Sequence, residues 1–493
     1  MRYRMLGCLM CACAVAVSIA APLLETGGRD RYHQHWDAPP KTEDAPDAAF
    51  STHLPLVEID TGGETIPGRA SMDEEGALLG YTTTADGADR IKAHMDIVDH
   101  ESTCNHPGDA PAISTDIEIH VRGRSSRTFD KSNYAIRLEN PDGTNNPQAV
   151  MGMDAHHEWV LHGPYLDKTL MRNYMLYNIG GEIMDYAPNV RFCEVMLNGE
   201  YQGVYVMMER ITASKDGARL DLTVDAKRNT FSGYLLRMDL DVLGKEETIA
   251  DIDHFTSYAK RTQQELEIIY PGAGNLTETI SREICQDFSD FEKALYSYDY
   301  DSEKYGYWTY IDTESFIDYF LINEITCNYD AGWLSTYMYK DTTGKYRMCL
   351  WDMNSACDNY QESQFSEKGF RMQNCLWYFM LMKDEDFVDA LIRRYWALRD
   401  TYFSEEYLNR YIDDTVAYLG DAVDRNFQVW GYTFRPDHVL LHPAERNLHS
   451  YEEAIGQMKA FYAARLSWMD ENIDTLRQYA AESKVKKFNE NAN

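Results

Sequence analysis

Two aspartates in the second half of the chain stand where an acid could do chemistry. Asp330, in TCNYDAGWLST, follows an apolar run and precedes a hairpin; Asp352, in CLWDMN, follows a second apolar run 22 positions later. A short carboxylate on a loop at a helix end can be projected into a cleft while the helix fixes its position, which suits proton transfer. Two such acids can also serve a divalent cation as oxygen ligands. Earlier in the chain come a polar turn, RGRSS, with Arg122, Ser125 and Ser126, then Lys131, then Asp167 and Arg172 at the start of a helix, and Glu209 at the end of a hairpin. Taken singly, most have plain readings. Arg122 and Lys131 are solvated charges beside a turn, Glu209 closes a strand, Ser335 is a hairpin residue, and a lone acid pairs with a surface cation.

The elements that must position these residues follow from periodicity. Ile117, Ile119 and Val121 alternate on one face, and Tyr134, Ile136 and Leu138 do so after the RGRSS turn, giving two strands. A helix follows, with Asp167 as its N-cap and Gly180 and Gly181 at its end. Asn198-Gly199 between two apolar runs signals a hairpin. Residues 51 to about 240 therefore read as a mostly antiparallel sheet with one helix packed on it. Beyond, Phe316 and Phe320, with Ile317, Leu321 and Ile325, recur at helical spacing up to Cys327 and Asn328, which leaves Asp330 just past a helix end. A hairpin turning near Gly344 leads to Asp352, and Ile455, Met458, Tyr462, Leu466, Met469, Ile473 and Leu476 mark a long amphipathic helix. The expected class is α+β: a β-rich N-terminal lobe over 51–240 and a mainly helical C-terminal lobe over 241–480.

This order of parts, a polar turn, a lysine, a helix, a hairpin ending in an acid and two spaced aspartates, is similar to that of a protein kinase, although GxGxxG, HRD and DFG are all missing. The strings HVRGRSSRTFDKSNYAIRLE, KTLMRNYMLY, LNGEYQGVYVMMERI, NEITCNYD and CLWDMNSACDNY together resemble the CotH (spore coat protein H-type) kinase family over nearly the whole body, about 51 to 480. The resemblance implies an atypical, two-lobed kinase-like fold using ATP and Mg2+ or Mn2+. It implies Asp330 as catalytic base and Asp352 as metal ligand, with Asn354 as a second metal contact. Ser335 stands where typical kinases place a metal-binding asparagine, a weaker oxygen donor than a carboxamide. Arg122, Ser125 and Ser126 would cover the phosphates, Lys131 would contact them, Asp167 or Arg172 would hold that lysine or the phosphates, and Glu209 would lie at the adenine hinge.

Composition bounds the partners. With 44% hydrophobic residues the chain can bury a large core, and its formal charge of −33 argues against a nucleic-acid partner, whose phosphates it would repel. Arg2 and Arg4 precede an apolar run that ends in small residues near Ala21, so residues 1–24 read as a signal peptide or an N-terminal anchor and place the body outside the cytoplasm, secreted or at the cell surface. Any membrane association would come through that segment alone. Residues 25–50, rich in Pro, Asp and Ala around DAPPKTEDAPDA, read as a linker, and 481–493 as a polar tail. Seven cysteines remain after the leader, with no CxxC pair and no disulfide framework. His156, His157 and His162 form no HExxH pattern and read as core or surface residues rather than zinc ligands. The leading expectation is an exported protein kinase acting on Ser or Thr of a surface or coat protein. Its rival is a non-catalytic member of the same fold that binds a partner. A metal-dependent hydrolase is weaker, because a second ligand cluster is lacking.

Overall fold

The computed structural model describes residues 31–480 apart from 46, 74, 76, 77, 214–219, 241–246, 254–263 and 365. Among these residues no helix is long and apolar enough to cross a membrane. The expected leader at 1–24 and the tail at 481–493 lie outside them.

The period-two stretches close into a barrel. Its strands are β1 (Leu56–Asp60), β2 (Ile91–Val98), β3 (Ile113–Val121), β4 (Tyr134–Glu139), β5 (Glu158–His162), β6 (Val190–Leu197) and β7 (Glu200–Glu209), in the order β1-β2-β3-β4-β5-β7-β6. Neighbours are antiparallel except β6, which lies parallel to β1 and closes the ring. Ile117 faces Leu138 and Ile119 faces Ile136 across β3 and β4, and these side chains fill the barrel with Val57, Ile97, Leu161 and Val195. Asn198 and Gly199, both at positive φ (51° and 79°), make the tight turn between β6 and β7 that the sequence signals.

A second sheet, β8 (Tyr234–Leu240), β9 (Gln264–Tyr270), β10 (Thr336–Lys340) and β11 (Tyr346–Cys349), has the order β9-β8-β10-β11. Residue 240, the expected end of the β-rich part, thus ends a strand that pairs with the later half of the chain. Helices follow the same division. α1 (Arg172–Ile183) lies between β5 and β6, while α2 (Glu278–Tyr296), α3 (Thr313–Thr326), α4 (Glu385–Arg399), α5 (Glu405–Leu419), α6 (Asp421–Trp430) and α7 (Tyr451–Asn472) belong to the second part. The chain is α+β, strand-rich first and helical later.

Helix α3 is buried from Ser315 to Thr326, a core helix that is apolar nearly all round. Asp312 caps its start by accepting from Ser315 N–H, and Cys327, left-handed at φ 47°, ends it with its N–H on Asn323 O and Glu324 O. Its last turn is fixed to α7 by Arg465 and Glu324, both wholly buried and ion-paired. Arg465 also donates to the carbonyls of Glu324, Glu367 and Gly369. Helix α7, continued by a short 3-10 turn over Ile473–Leu476, carries the expected apolar face.

Two expectations are corrected. Helix α1 begins at Arg172 rather than directly after Asp167, and runs through Gly180 and Gly181 rather than ending there. Asp167 still serves the helix start, because its carboxylate accepts from Arg172 N–H at 2.8 Å and Thr169 N–H at 3.1 Å. The glycines are there for contact: a Cβ on Gly180 would lie 2.5 Å from Leu350 Cδ2, and one on Gly181 would strike the Arg31 guanidinium. Leu350 is two residues from Asp352, so Gly180→Val is expected to push the strand end that carries Asp352. We expect a loss of about 1–3 kcal/mol in urea unfolding, as for other overpacked cores.

The second correction concerns residues 31–37, read as part of a linker. They form a docked strap with a helical turn at Gln34–Asp37. Gln34 exchanges two hydrogen bonds with the Phe192 backbone. His33 bridges Tyr411 and Glu182, Arg31 Nε donates to Asn178, and Trp36 Nε1 donates to Asp414. The Pro/Asp/Ala composition belongs to the later part of the segment; the RYHQHW stretch before it carries rings and amides that find partners. The seven cysteines among the described residues are free, five of them buried, consistent with small apolar core residues.

Candidate functional site

Asp330 lies in the turn that leaves α3, and its carbonyl accepts from Trp333 N–H (3.1 Å) and Leu334 N–H (2.8 Å). The chain then enters β10 through Ser335, crosses to β11 and reaches Asp352. Ser335 Oγ donates to Asp352 Oδ2 at 3.1 Å, and Asp352 N–H donates to Tyr177 Oη of α1 at 2.9 Å. Ser335 and Asp352 are both left-handed (φ 48° and 58°), as are Cys327, Cys357 and Asp358. Half of the ten described non-glycine residues at positive φ thus fall within 327–358. Backbone strain held in one place by buried contacts is a mark of functional loops.

The electrostatics agree. Burial pushes the Asp330 carboxyl upward, and the charges of Asp352 and Asp239 push it further, against the opposing field of Arg371. Asp352 is pushed the same way by burial and by Asp239, while Arg122 and the Ser335 hydroxyl pull it back. Three carboxylates thus crowd one half-buried place. Asp239, on β8, has no counterpart in the sequence reading. The signal was the i, i+2 pair Arg237 and Asp239 on one face of a strand, whose side chains lie 4.0 Å apart. Arg371, whose guanidinium donates to Tyr329 O at 3.4 Å, was also missed.

The RGRSS turn reaches this place. Arg122 N–H bonds Asn133 O, and its guanidinium lies 5.7 Å from the Trp351 ring. Arg124 donates to Leu240 O, next to Asp239. Ser125 and Ser126 open a 3-10 turn, Ser125 exposed and Ser126 half-buried, with Ser126 Oγ occupying the space a Cβ on Gly123 would need. Tyr177 and Tyr337 flank Trp351 at 6.0 and 5.9 Å between ring centres, giving the acids an aromatic floor. Asn354, half-buried in the turn Met353–Ser355, offers its carbonyl to Asn359.

Other expected residues sit in different settings. Lys131 is buried ahead of β4, where its amine donates to Val204 O (2.6 Å) and Asn426 Oδ1 (2.7 Å), and burial drives its ammonium form far down. It closes the seam between the barrel and α6. Asp167 and Arg172 pair with each other, and Arg172 Nε donates to Ala356 O at 2.9 Å, which braces the segment after Asp352. Glu209, fully buried, accepts from Asn189 N–H at 2.9 Å in the field of Arg31 and Arg191. The structure therefore gathers Asp330, Asp352, Ser335 and Arg122, and puts Lys131, Asp167, Arg172 and Glu209 to other uses.

The ligand atoms that Asp330, Asp352 and Ser335 offer are all oxygens, carboxylate and hydroxyl, the set preferred by Mg2+ or Mn2+, and the mutual repulsion of the carboxylates is what a cation would relieve. Groups whose ligand atoms already lie within 4.8 Å of one another are found elsewhere among the described residues: His156, His157 and Glu158; Glu43, Asp44 and His106; Asp251, Glu265 and Glu267. His162 lies buried in β5, and burial brings its imidazole down to about 4.

Comparison with known proteins gives two matches. Residues 96 in number align at 31% identity with the inner spore coat protein H of Bacillus subtilis (strain 168), which covers 20% of this chain and 24% of that protein. The chain thus matches about a quarter of that relative's length. The family model described as CotH kinase protein matches residues 119–469, which takes in the RGRSS turn, both strained aspartate loops and most of α7. The chain belongs to the CotH kinase protein family.

Proposed function

We propose that the protein is an exported atypical kinase that transfers the γ-phosphate of ATP to serine or threonine hydroxyls of surface or coat proteins. The observation that carries this reading is the convergence of Asp330 and Asp352, from two separate loops, on one half-buried place with Ser335 and Arg122 beside them. In the transfer, a bond forms between the acceptor oxygen and the γ-phosphorus and the bond from that phosphorus to the β–γ bridging oxygen breaks, leaving ADP. The acceptor's proton passes to the Asp330 carboxylate, whose raised affinity for protons suits it as a base. Mg2+ or Mn2+, held by Asp352 with Ser335 and Asn354 as further oxygen donors, would supply neutralisation of phosphate charge. Arg122 and the hydroxyls of Ser125 and Ser126 would take phosphate oxygens, and Trp351, which lies 5.7 Å from the Arg122 guanidinium, would offer an apolar face with Tyr337. The family membership and the relative's name as a spore coat protein support a kinase acting in a coat or surface setting.

A second reading, a kinase-fold surface protein that binds a partner without catalysis, is favoured by Lys131. Its amine is bound to Val204 and Asn426, where the first reading wants it on a phosphate. Titration of the purified chain with ATP and Mn2+ separates the two. Asp352→Asn is expected to weaken metal-dependent nucleotide binding at least about tenfold, some 1.4 kcal/mol. Nucleotide binding that needs neither the metal nor Asp352 would count decisively for the non-catalytic reading.

A further inference from the structure

A cavity of about 450 Å³ opens beside the segment that follows Asp352, within the usual size of small-molecule sites. Its lining includes Lys168, Arg172, Asp358, Arg446 and Gln457, and none of Asp239, Asp330 or Asp352. Two of its three cations have carboxylate partners, Arg172 in Asp167 and Arg446 in Asp358. Lys168 differs. It is 9% exposed, and among the described residues its amine has one hydrogen-bond acceptor, Tyr165 O at 2.8 Å, with the rings of Tyr165 and Phe434 at 5.2 and 5.8 Å. An ammonium group offers three donors, so two are unused.

Arg446, also 9% exposed, donates through its Nη atoms to His442 O and Asp358, yet its Nε–H is buried without a hydrogen-bond partner among the described residues. Buried donors of this kind are unfavourable unless an acceptor arrives. We propose that the cavity binds a small organic anion carrying a phosphate or carboxylate group, which pairs with the Lys168 amine in the field of the Arg446 guanidinium.

Protonation supports this assignment. Burial brings the Lys168 ammonium down to about 7, with Asp167 opposing the shift. Asp167, one residue before it, is the charged neighbour that opposes the shift, and the charge of Lys168 in turn acts on Lys131. Arg172, Asp358, Glu445 and Arg446 line the cavity with it. An anion restores the charged amine, so binding takes up a proton near neutrality and weakens as pH rises.

The test is calorimetric titration of the full chain, in chloride-free buffer at pH about 6.5 and about 8.5, with glycerol 3-phosphate, citrate and inorganic phosphate as probes. Glycerol 3-phosphate or citrate is expected to saturate the protein, at least about tenfold more weakly at the higher pH. Lys168→Met and Leu440→Trp, the latter filling the cavity without touching its charges, should each weaken binding at least about tenfold. Asp352→Asn should leave it unchanged. Saturation by both phosphate and carboxylate probes identifies general anion recognition; saturation by glycerol 3-phosphate alone identifies a phosphomonoester site. Absence of saturable binding, equal affinity in either cavity variant, or saturation by inorganic phosphate alone overturns the proposal.

Discussion

Asp330→Asn is expected to leave nucleotide affinity within a few fold while lowering phosphoryl transfer by about 10²–10⁴, the usual contribution of a positioned base. Transfer is read by self-phosphorylation or with an exogenous acceptor protein, and affinity by titration. The same change should make the metal-free protein more stable at and above neutral pH. Burial and two neighbouring carboxylates raise the folded-state pKa of Asp330 above its unfolded value. Its contribution to stability is therefore present at low pH and is lost as pH rises through the folded value, where the charge must be kept against Asp352 and Asp239. The amide removes that repulsion, for a gain of about 1 kcal/mol at pH 8 that disappears under acid conditions. A large drop in nucleotide affinity would instead make Asp330 a metal ligand, and a drop in stability would show that its charge is already compensated.

Arg465→Ala should be the most destabilising single change considered, by about 3–5 kcal/mol, because it leaves the Glu324 carboxylate buried without its ion-pair partner. Glu324 would keep the N–H groups of Arg371 and Met372, at 3.0 and 2.7 Å, which are too few donors for an interior charge. Urea unfolding at neutral pH measures the loss. Arg465→Met combined with Glu324→Gln should cost less than Arg465→Ala alone, since the bare charge is then gone. Because the pair fixes the last turn of α3, transfer should fall in the single variant even below the unfolding transition. A loss under 1 kcal/mol would mean that water replaces the guanidinium.

Local pattern made much of this molecule readable. Alternation revealed β3 and β4, Asn198-Gly199 fixed the turn of β6 and β7, and the apolar spacing of α3 placed Asp330 just beyond a helix end. What stayed hidden depends on long-range packing. The parallel pairing of Leu56 with Glu194, which closes the barrel, joins residues 138 apart and leaves no local trace. Asp239 reads as an ordinary strand acid until β8 is laid beside β10. Lys131 looks solvated beside its polar turn, and only the approach of α6 shows that it is buried. Gly180 and Gly181 carry the common helix-end signal, and the true reason for them, the approach of Leu350 and Arg31, lies far along the chain in both directions.

The docked strap also sets an order of events in biosynthesis. His33 and Trp36 emerge early, but their partners Tyr411 and Asp414 lie 378 residues further on. Contacts so distant in sequence are the slowest to close. Helix α1 and strand β6, which the strap also grips, can therefore assemble first, but the seam across α5 can be sealed only once Glu405–Leu419 has been made. The strap thus serves as a late latch on a fold whose first half is already built.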